Sequence, residues 1–435
     1  MKILIVSRYC APPSFHGSAQ HVQTFAKALV EGGHEVRVIS GEEEAGTIEV
    51  DGYTVTKVQL PPQAKGFQRL LDGRFPDVHN RRLAATIFES WKPDVLHVGV
   101  FMRMGEFIFE AAERKIPVVL MVHDYAMLCL KKYLQHSDGS VCNGPQPQLC
   151  HKCIKQTAGS RLRFFSSLTA FPGTGLLLGR ERHINFQLDR AVKESFIFME
   201  HLRSVVNRYI VQTPLAPGIL ASCGIPEERC YFVQQFIGEE KLVHYPKASG
   251  VPGTDRPIRI GYVGRWSAEK GIEVLSDACR TFGENDVEVW LIAKGADLQS
   301  VKALFGDEAV DAGRVRLFND LAGARLAAQI AQLDVMVIPS ICHDNSPRVH
   351  LEALAQGVPT IVSDSVGNRH LICDGISGRI FPSGDAIVLA KILQEIVENP
   401  RILDEWRNQL TKLPDRQEWY QSLLQVHQDL VTVKS

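Results

Sequence analysis

Residues 334–364, DVMVIPSICHDNSPRVHLEALAQGVPTIVSD, decide the reading of the fold. The stretch opens on an apolar run, VMVI, and closes on another, TIVS. Each is short enough to be a strand buried on both faces. Between them Ser346 is a good N-cap, Pro347 suits the first helical position and Gly357 suits the residue past the end. The spacing predicts strand, helix over about 347–356, and strand. The free N–H groups of Arg348 and Val349 at such a helix start are a ready site for an anion, phosphate above all. Two acids, Asp344 and Glu352, flank that start, eight positions apart. A carboxylate one and a half turns into the helix can accept both hydroxyls of a ribose, and one before the helix can accept those of a sugar. Complementing the helix dipole is the plainer role for both.

The same alternation extends in both directions. Strands are predicted at IRIGYVG (258–264), VEVWLIAKG (287–295) and VRLFN (315–319). Earlier come ILIVS (3–7), EVRVIS (35–40), VLHVG (95–99) and IPVVLMVHD (116–124), with a helix at AQHVQTFAKALVEGG. Strands of this kind, alternating with helices, predict parallel sheets covered on both faces. At 435 residues the chain exceeds one ordinary core. We read an α/β protein with a first domain over 1–248, a Gly- and Pro-rich linker over 249–257, and a second domain over 258–412. An amphipathic helix over 413–435 is expected to pack back on the first domain. Ligands of such sheets sit beyond the carboxyl ends of the strands, so the site is expected in a cleft between the two domains.

Forty-eight basic and 49 acidic residues give a formal charge of −1, which argues against a dedicated nucleic-acid binder. No apolar run reaches the ~18–20 residues that span a bilayer. The initial apolar run ends at Val6, too short for a signal peptide, so a cytoplasmic protein with reduced thiols is expected. Region 155–210 mixes basic and apolar residues in helical patterns. It reads as a packed helical subdomain or as a docking face for a membrane or a lipid-linked molecule.

In GYVGRWSAEKG (261–271), Arg265 and Lys270 come after a strand and precede a helix. Two fixed cations there suit a diphosphate; a surface pair with Glu269 is the alternative. The motif lacks GK[ST] and is no P-loop.

Taken together, GRWSAEKG, DVMVIPS, DNSPRVHLEALAQGVPTIVSD and DGISGRIF resemble the second domain of family 4 glycosyltransferases, retaining enzymes of the two-domain GT-B fold. The opening MKILIVSRYCAPPSFHGSAQHVQTFAKALVEGGHEVRVIS and the later KPDVLHV and IPVVLMVHDY are similar to that family's first domain. The resemblance runs in order over most of the chain. It implies two Rossmann-like domains and hexosyl transfer from a nucleotide sugar, UDP-sugar favoured over GDP-sugar, to a glycan or lipid-linked acceptor. Peripheral contact at the inner face of a membrane would suit such an acceptor. The family hallmark is Glu-x7-Glu; here the first acid is Asp344, one bond shorter. By resemblance Glu352 holds the ribose, Asp344 meets the donor sugar, and Arg265 and Lys270 hold the diphosphate. Asn345, Ser346, Pro347, Arg348 and Val349 form the donor-binding turn, and Gly17 and Ser18 approach from the first domain. His123 matches a histidine near the donor sugar, although a histidine at a strand end is often a satisfied core residue. Asp124 would orient His123 or cap the next helix.

Retention implies an oxocarbenium-like transition state, with charge growing on the leaving diphosphate. Cations and helix N–H groups can stabilise it, so no catalytic metal is expected. Four cysteines, Cys129, Cys142, Cys150 and Cys153, cluster in a turn-rich segment, the last two as C-x2-C. Structural zinc is the leading reading, with disulfides and free thiols as alternatives. An epimerase of the same fold and a non-catalytic nucleotide binder are the competing functions.

Overall fold

The computed structural model describes residues 1–12, 17–60, 78–166, 174–238, 242–283, 286–319 and 321–432, with side chains outside 78–79, 157–184 and 432. The chain divides into two compact units, residues 1–233 with 417–435, and residues 234–416.

The first unit begins with β1 (Lys2–Arg8), α1 (Gly17–Glu31), β2 (Glu35–Glu42), β3 (Gly46–Val50) and β4 (Tyr53–Gln59). It continues through α2 (Val78–Trp91), β5 (Val95–Val98), α3 (Gly105–Glu113) and β6 (Val118–Val122). Two long helices come next, α4 (Pro147–Ser166) and α5 (Thr174–Val205), then β7 (Arg208–Val211), α6 (Ala216–Ser222) and β8 (Cys230–Phe232). The strands form one sheet in the order β3-β4-β2-β1-β5-β6-β7-β8. Ile3, Leu4, Ile5 and Val6 of β1 are fully buried, as a central strand covered on both faces requires. Val22, Phe25, Ala26 and Leu29 form the buried stripe of α1. Each of the larger ones, Val22, Phe25 and Leu29, contributes about 1.5–3 kcal/mol by leaving water.

The sheet departs from the expected all-parallel form at one edge, where β3 pairs antiparallel with β4. The two residues between them, Asp51 (φ 47°) and Gly52 (φ 85°), are both left-handed. That is the backbone of a tight hairpin turn, which favours Asp-Gly.

The second unit runs β9 (Ile258–Arg265), α7 (Ile272–Cys279), β10 (Val287–Lys294), α8 (Leu298–Phe305), α9 (Asp307–Asp311), β11 (Val315–Phe318), α10 (Gly323–Ile330), β12 (Val335–Ile338), α11 (Arg348–Ala355), β13 (Thr360–Ser363), β14 (Gly378–Phe381), α12 (Ala386–Glu398) and α13 (Ile402–Asn408). Its six strands are all parallel, in the order β11-β10-β9-β12-β13-β14. This is the 3-2-1-4-5-6 order of a doubly wound fold, and the winding reverses between β9 and β12.

The expected linker over 249–257 is a correction: it belongs inside the second unit, whose boundary falls at 233/234. Arg256 grips buried Asp334 through two hydrogen bonds of 2.6 and 2.8 Å. Gln356 bonds Val243 O and Tyr245 N, fastening the preceding segment as well. Gly and Pro here shape a turn that is anchored by charge.

The last helix, α14 (Arg416–Thr432), packs in the first unit. Trp419, Leu423, Leu424, Val426 and His427 are buried, and Arg208 donates to Val426 O at 2.9 Å. His427 Nδ1 donates to Leu423 O at 2.7 Å. Its Nε2 must then accept, so His97 Nδ1 donates to it at 3.0 Å. Among the described residues no helix is long and apolar enough to cross a membrane.

The turn before α7 is fixed by Gly271. Its φ is +71°, and a Cβ there would lie 1.7 Å from Pro339 O. Ile341 N also donates to Glu269 O at 3.1 Å. The loop after β9 is thereby pressed against the end of β12.

These contacts predict two outcomes. Gly271→Ala should destabilise more than Gly295→Ala, which has a similar φ of +87° and nothing within 4 Å. Both incur left-handed strain of about 1–2 kcal/mol; only the first adds a clash, for about 1–3 kcal/mol more. Equal denaturation midpoints would refute the close approach. Burial pushes His427 down to about 4, against the help of Leu423 O, and lowers His97 well below its usual value. Both are then neutral when folded, while the unfolded chain takes up protons near pH 6.5. Stability should be full above about pH 6.5 and fall as pH drops towards 4. His427→Leu should flatten that decline in melting temperature; an unchanged slope would contradict the role of the pair.

Candidate functional site

A cavity of about 200 Å³ opens at the carboxyl ends of β9 and β12, where the winding of the second sheet reverses. It is lined by Tyr262 to Arg265, Lys270, Ile338 to Ser340, Asp344, and Pro347 to Val349. The structure therefore gathers Arg265, Lys270, Asp344, Pro347, Arg348 and Val349 around one space. That volume suits a diphosphate better than a whole nucleotide sugar, since pockets for larger ligands run ≈300–1,000 Å³.

Lys270 Nζ donates to Asp344 Oδ2 at 2.5 Å, and Ser340 Oγ donates to the same oxygen at 2.9 Å. The two charged side chains are 19% and 14% exposed. Burial acts against the Lys270 ammonium, but the charge and hydrogen bond of Asp344 outweigh it, and the Lys270 pKa is raised. Lys270 is thus a fixed cation. Ser340 is in turn fixed by Ser363, whose hydroxyl donates to Ser340 O at 2.5 Å, with Ser365 donating to the same carbonyl. Asp344 is also pinned by its backbone: Gly367 N donates to Asp344 O at 2.7 Å, and Asp344 N to Ser365 O at 3.3 Å. A Cβ on Gly367 would lie 1.8 Å from Asn345 O, so only glycine permits this approach.

Arg265 forms the surface ion pair with Glu269, at 3.1 Å. Its side chain is 51% exposed, and the pair is worth little by itself. Tyr262 OH donates to Arg265 O at 2.6 Å and fixes the strand end beneath it.

α11 begins at Arg348, with Pro347 as its N-cap (φ −62°, ψ 115°) and no side-chain cap. The expected cap by Ser346 is a correction: its hydroxyl donates to Gln235 Oε1 at 3.1 Å instead. Gly357 takes φ +65° just past the helix, as its position predicts. Glu352 lies on α11, buried, and Asn345 is buried in the preceding loop; neither lines the cavity.

In the first unit, Gly17 and Ser18 are the first residues of α1. His123 comes directly after β6, half-buried, its ring edge-on to His21 with centroids 5.6 Å apart. Asp124 Oδ1 accepts from Ala126 N at 2.8 Å, a turn-forming bond.

Cys129, Cys142, Cys150 and Cys153 share one neighbourhood. Burial, and then the fields of the other three thiols, push Cys150 up to about 11. Cys142 Sγ donates to Gly144 O at 3.3 Å and Cys153 Sγ to Gln135 O at 3.9 Å. No three His, Cys, Asp or Glu side chains among the described residues are arranged to hold a metal ion. None of the four is joined in a disulfide.

The sequence reading missed Tyr262 and Ser340. Both sit at ends of predicted strands, the place where a switch-point ligand would meet them, and that position is the signal that would have found them.

Residues 247–413 match the family described as Glycosyl transferases group 1, and residues 16–159 match the Glycosyl transferase 4-like domain. A phosphatidyl-myo-inositol mannosyltransferase of Mycobacterium leprae is 27% identical over 38% of this chain and 43% of its own. A GDP-mannose-dependent alpha-mannosyltransferase of Mycolicibacterium smegmatis is 29% identical over 42% of this chain and 46% of its own. The matched stretches thus span less than half of these relatives' lengths. A sucrose-phosphate synthase structure from Thermosynechococcus elongatus superposes with a TM-score of 0.67 at 16% identity, covering 99% of both chains. An Anabaena HepE structure in complex with UDP superposes with a TM-score of 0.61 at 15% identity, covering 99% of this chain and 100% of its own. The chain belongs to the group 1 glycosyltransferases, with two α/β units of the GT-B class.

Proposed function

We propose that the chain transfers a hexosyl group, with retention, from a nucleoside diphosphate sugar to a glycan or lipid-linked acceptor. One observation carries this reading: Lys270, Arg265 and the first amides of α11 surround a single diphosphate-sized cavity at the switch point. As the glycosidic bond breaks, negative charge grows on the diphosphate. A pre-fixed ammonium and a helix N-terminus lower the energy of that charge without reorganising. The leaving oxygen can then take the acceptor's proton, which places the new bond on the face just vacated. His123 and Glu352 are assigned to donor sugar and ribose by family resemblance, together with Gly17, Ser18, Asn345 and Ser346 in donor binding.

Asp344 has a more specific role here than sugar contact alone. Its Oδ2 holds Lys270 and Ser340, so a sugar hydroxyl would be met by Oδ1.

The hexose is supported by relatives named as mannosyltransferases. UDP sugars are the expectation from the sequence, while one relative is named for GDP-mannose; a donor panel of both bases therefore belongs in the test. Phe186 and Ile197 on α5 are 63% and 59% exposed and support a lipid-linked acceptor at a membrane face. In this reading catalysis uses the protein's own cations, and zinc at the four cysteines would serve the segment's structure alone. Stoichiometric zinc in the purified chain supports that zinc site; folded, zinc-free protein rejects it.

With UDP-glucose and GDP-mannose as donors, Lys270→Ala should lower kcat/KM by about 10²–10³-fold with the fold retained. Arg265→Ala, which removes a more exposed charge, should lower it by about tenfold. Near-wild-type turnover in folded Lys270→Ala would sink the site assignment.

A further inference from the structure

The loop 344–347 carries Asp344 at one end and the helix start at the other. Neighbouring residues hold the two ends: Gly367 N donates to Asp344 O at 2.7 Å, and Asn368 Nδ2 donates to Pro347 O at 3.2 Å. Asn368 is fully buried, and the partners on its two sides settle which way its amide faces.

Pro347 O can only accept, so the NH2 of Asn368 must face it and Oδ1 must face the other way. There it meets His350 Nδ1 at 3.0 Å, which must carry the proton. Burial pushes His350 down to about 4, so the ring is neutral near pH 7 and Nε2 is bare. Nε2 accepts from Thr360 Oγ1 at 3.0 Å. His350 and Thr360 are also fully buried. The donors and acceptors close in one direction: Thr360 to His350, His350 to Asn368, Asn368 to Pro347. The row begins on β13 in the sheet and ends on the carbonyl that opens α11.

We propose that His350 and Asn368, backed by Thr360, are positioning residues: they set the start of α11 so that the Arg348 and Val349 amides meet the leaving diphosphate. The inference rests on the reading of that cavity as the diphosphate site. None of the three side chains lines the cavity; they act through the Pro347 carbonyl. The polarity of the row explains why an imidazole sits fully buried on α11, one residue past Val349. An apolar side chain would fill the space and leave the buried Asn368 Oδ1 without the His350 Nδ1 donor.

The test separates positioning from mere stability. Replacing both partners of a buried hydrogen bond by apolar groups of similar shape can leave stability almost unchanged. His350→Leu/Asn368→Leu is therefore the informative variant, with Thr360→Val as a milder one and Thr360→Ser as the conservative rescue. Calorimetric titration of the full chain with UDP and with GDP, beside melting curves, reads the effect. The double variant should bind nucleoside diphosphate about tenfold more weakly, one hydrogen bond's worth. Donor kcat/KM should fall by at least the same factor, with kcat lowered as well as KM raised, because the amides also meet the charge that grows on the leaving diphosphate. Thr360→Val should shift in the same direction and Thr360→Ser should restore wild-type binding. If wild type binds, Lys270→Ala loses binding and a folded double variant binds as wild type does, the positioning role is overturned and the site stands. If the double variant fails to fold, Thr360→Val decides by the same criterion. If neither UDP nor GDP binds wild type, or Lys270→Ala binds them unchanged, the diphosphate reading and this inference both fall.

Discussion

The contact between Lys270 and Asp344 is the one on which the rest of the site depends. A cation beside a carboxylate at 2.5 Å, both largely shielded, is costly to break, at about 3–5 kcal/mol when one partner is removed. Almost every feature around it keeps the two loops that carry it in register. Gly271 lets the first loop touch Pro339 O, Gly367 lets the second be held from behind, and the hydroxyls of Ser363 and Ser365 fix Ser340 beneath the carboxylate. The pair also explains how a lysine stays charged in a shielded place. Burial favours the neutral amine, and the charge and hydrogen bond of the adjacent carboxylate do most to reverse that preference.

The sheet order supplies the location. In a doubly wound sheet the helices after β9 and β12 leave on opposite faces, so the ends of those two strands open a crevice between them. The glycine-bearing loop after β9 brings Lys270 to that crevice, and the loop after β12 brings Asp344 and then the start of α11. The same topology explains why one compact cavity holds residues more than eighty positions apart in sequence, Tyr262 and Val349 among them.

Much of this was legible in the chain. The runs VMVI and TIVS became β12 and β13 because continuous apolar strands have no other place than a sheet covered on both faces. Arg265, Lys270, Asp344 and the 347–349 turn were found because their motifs come directly after predicted strands. What escaped was of two kinds. The hairpin β3–β4 alternates polar with apolar residues and lacks the continuous run that marked the other strands; Asp51-Gly52 was its one clear signal. The roles of Ser346, Gln235, Arg256 and Asp334 depend on partners 78 to 111 positions away. Local pattern favours a cap at Ser346 and a linker at 249–257, and long-range hydrogen bonds override both.

The central claim is that the cavity between β9 and β12 takes the diphosphate of a nucleotide. Hydrogen exchange of the full chain, with and without saturating UDP or GDP, tests it most directly, because the proposed contacts include backbone amides. The account predicts slowed exchange at Arg348 and Val349 and across the loop from Gly264 to Gly271. Nucleotide that binds while leaving both segments unprotected would contradict it.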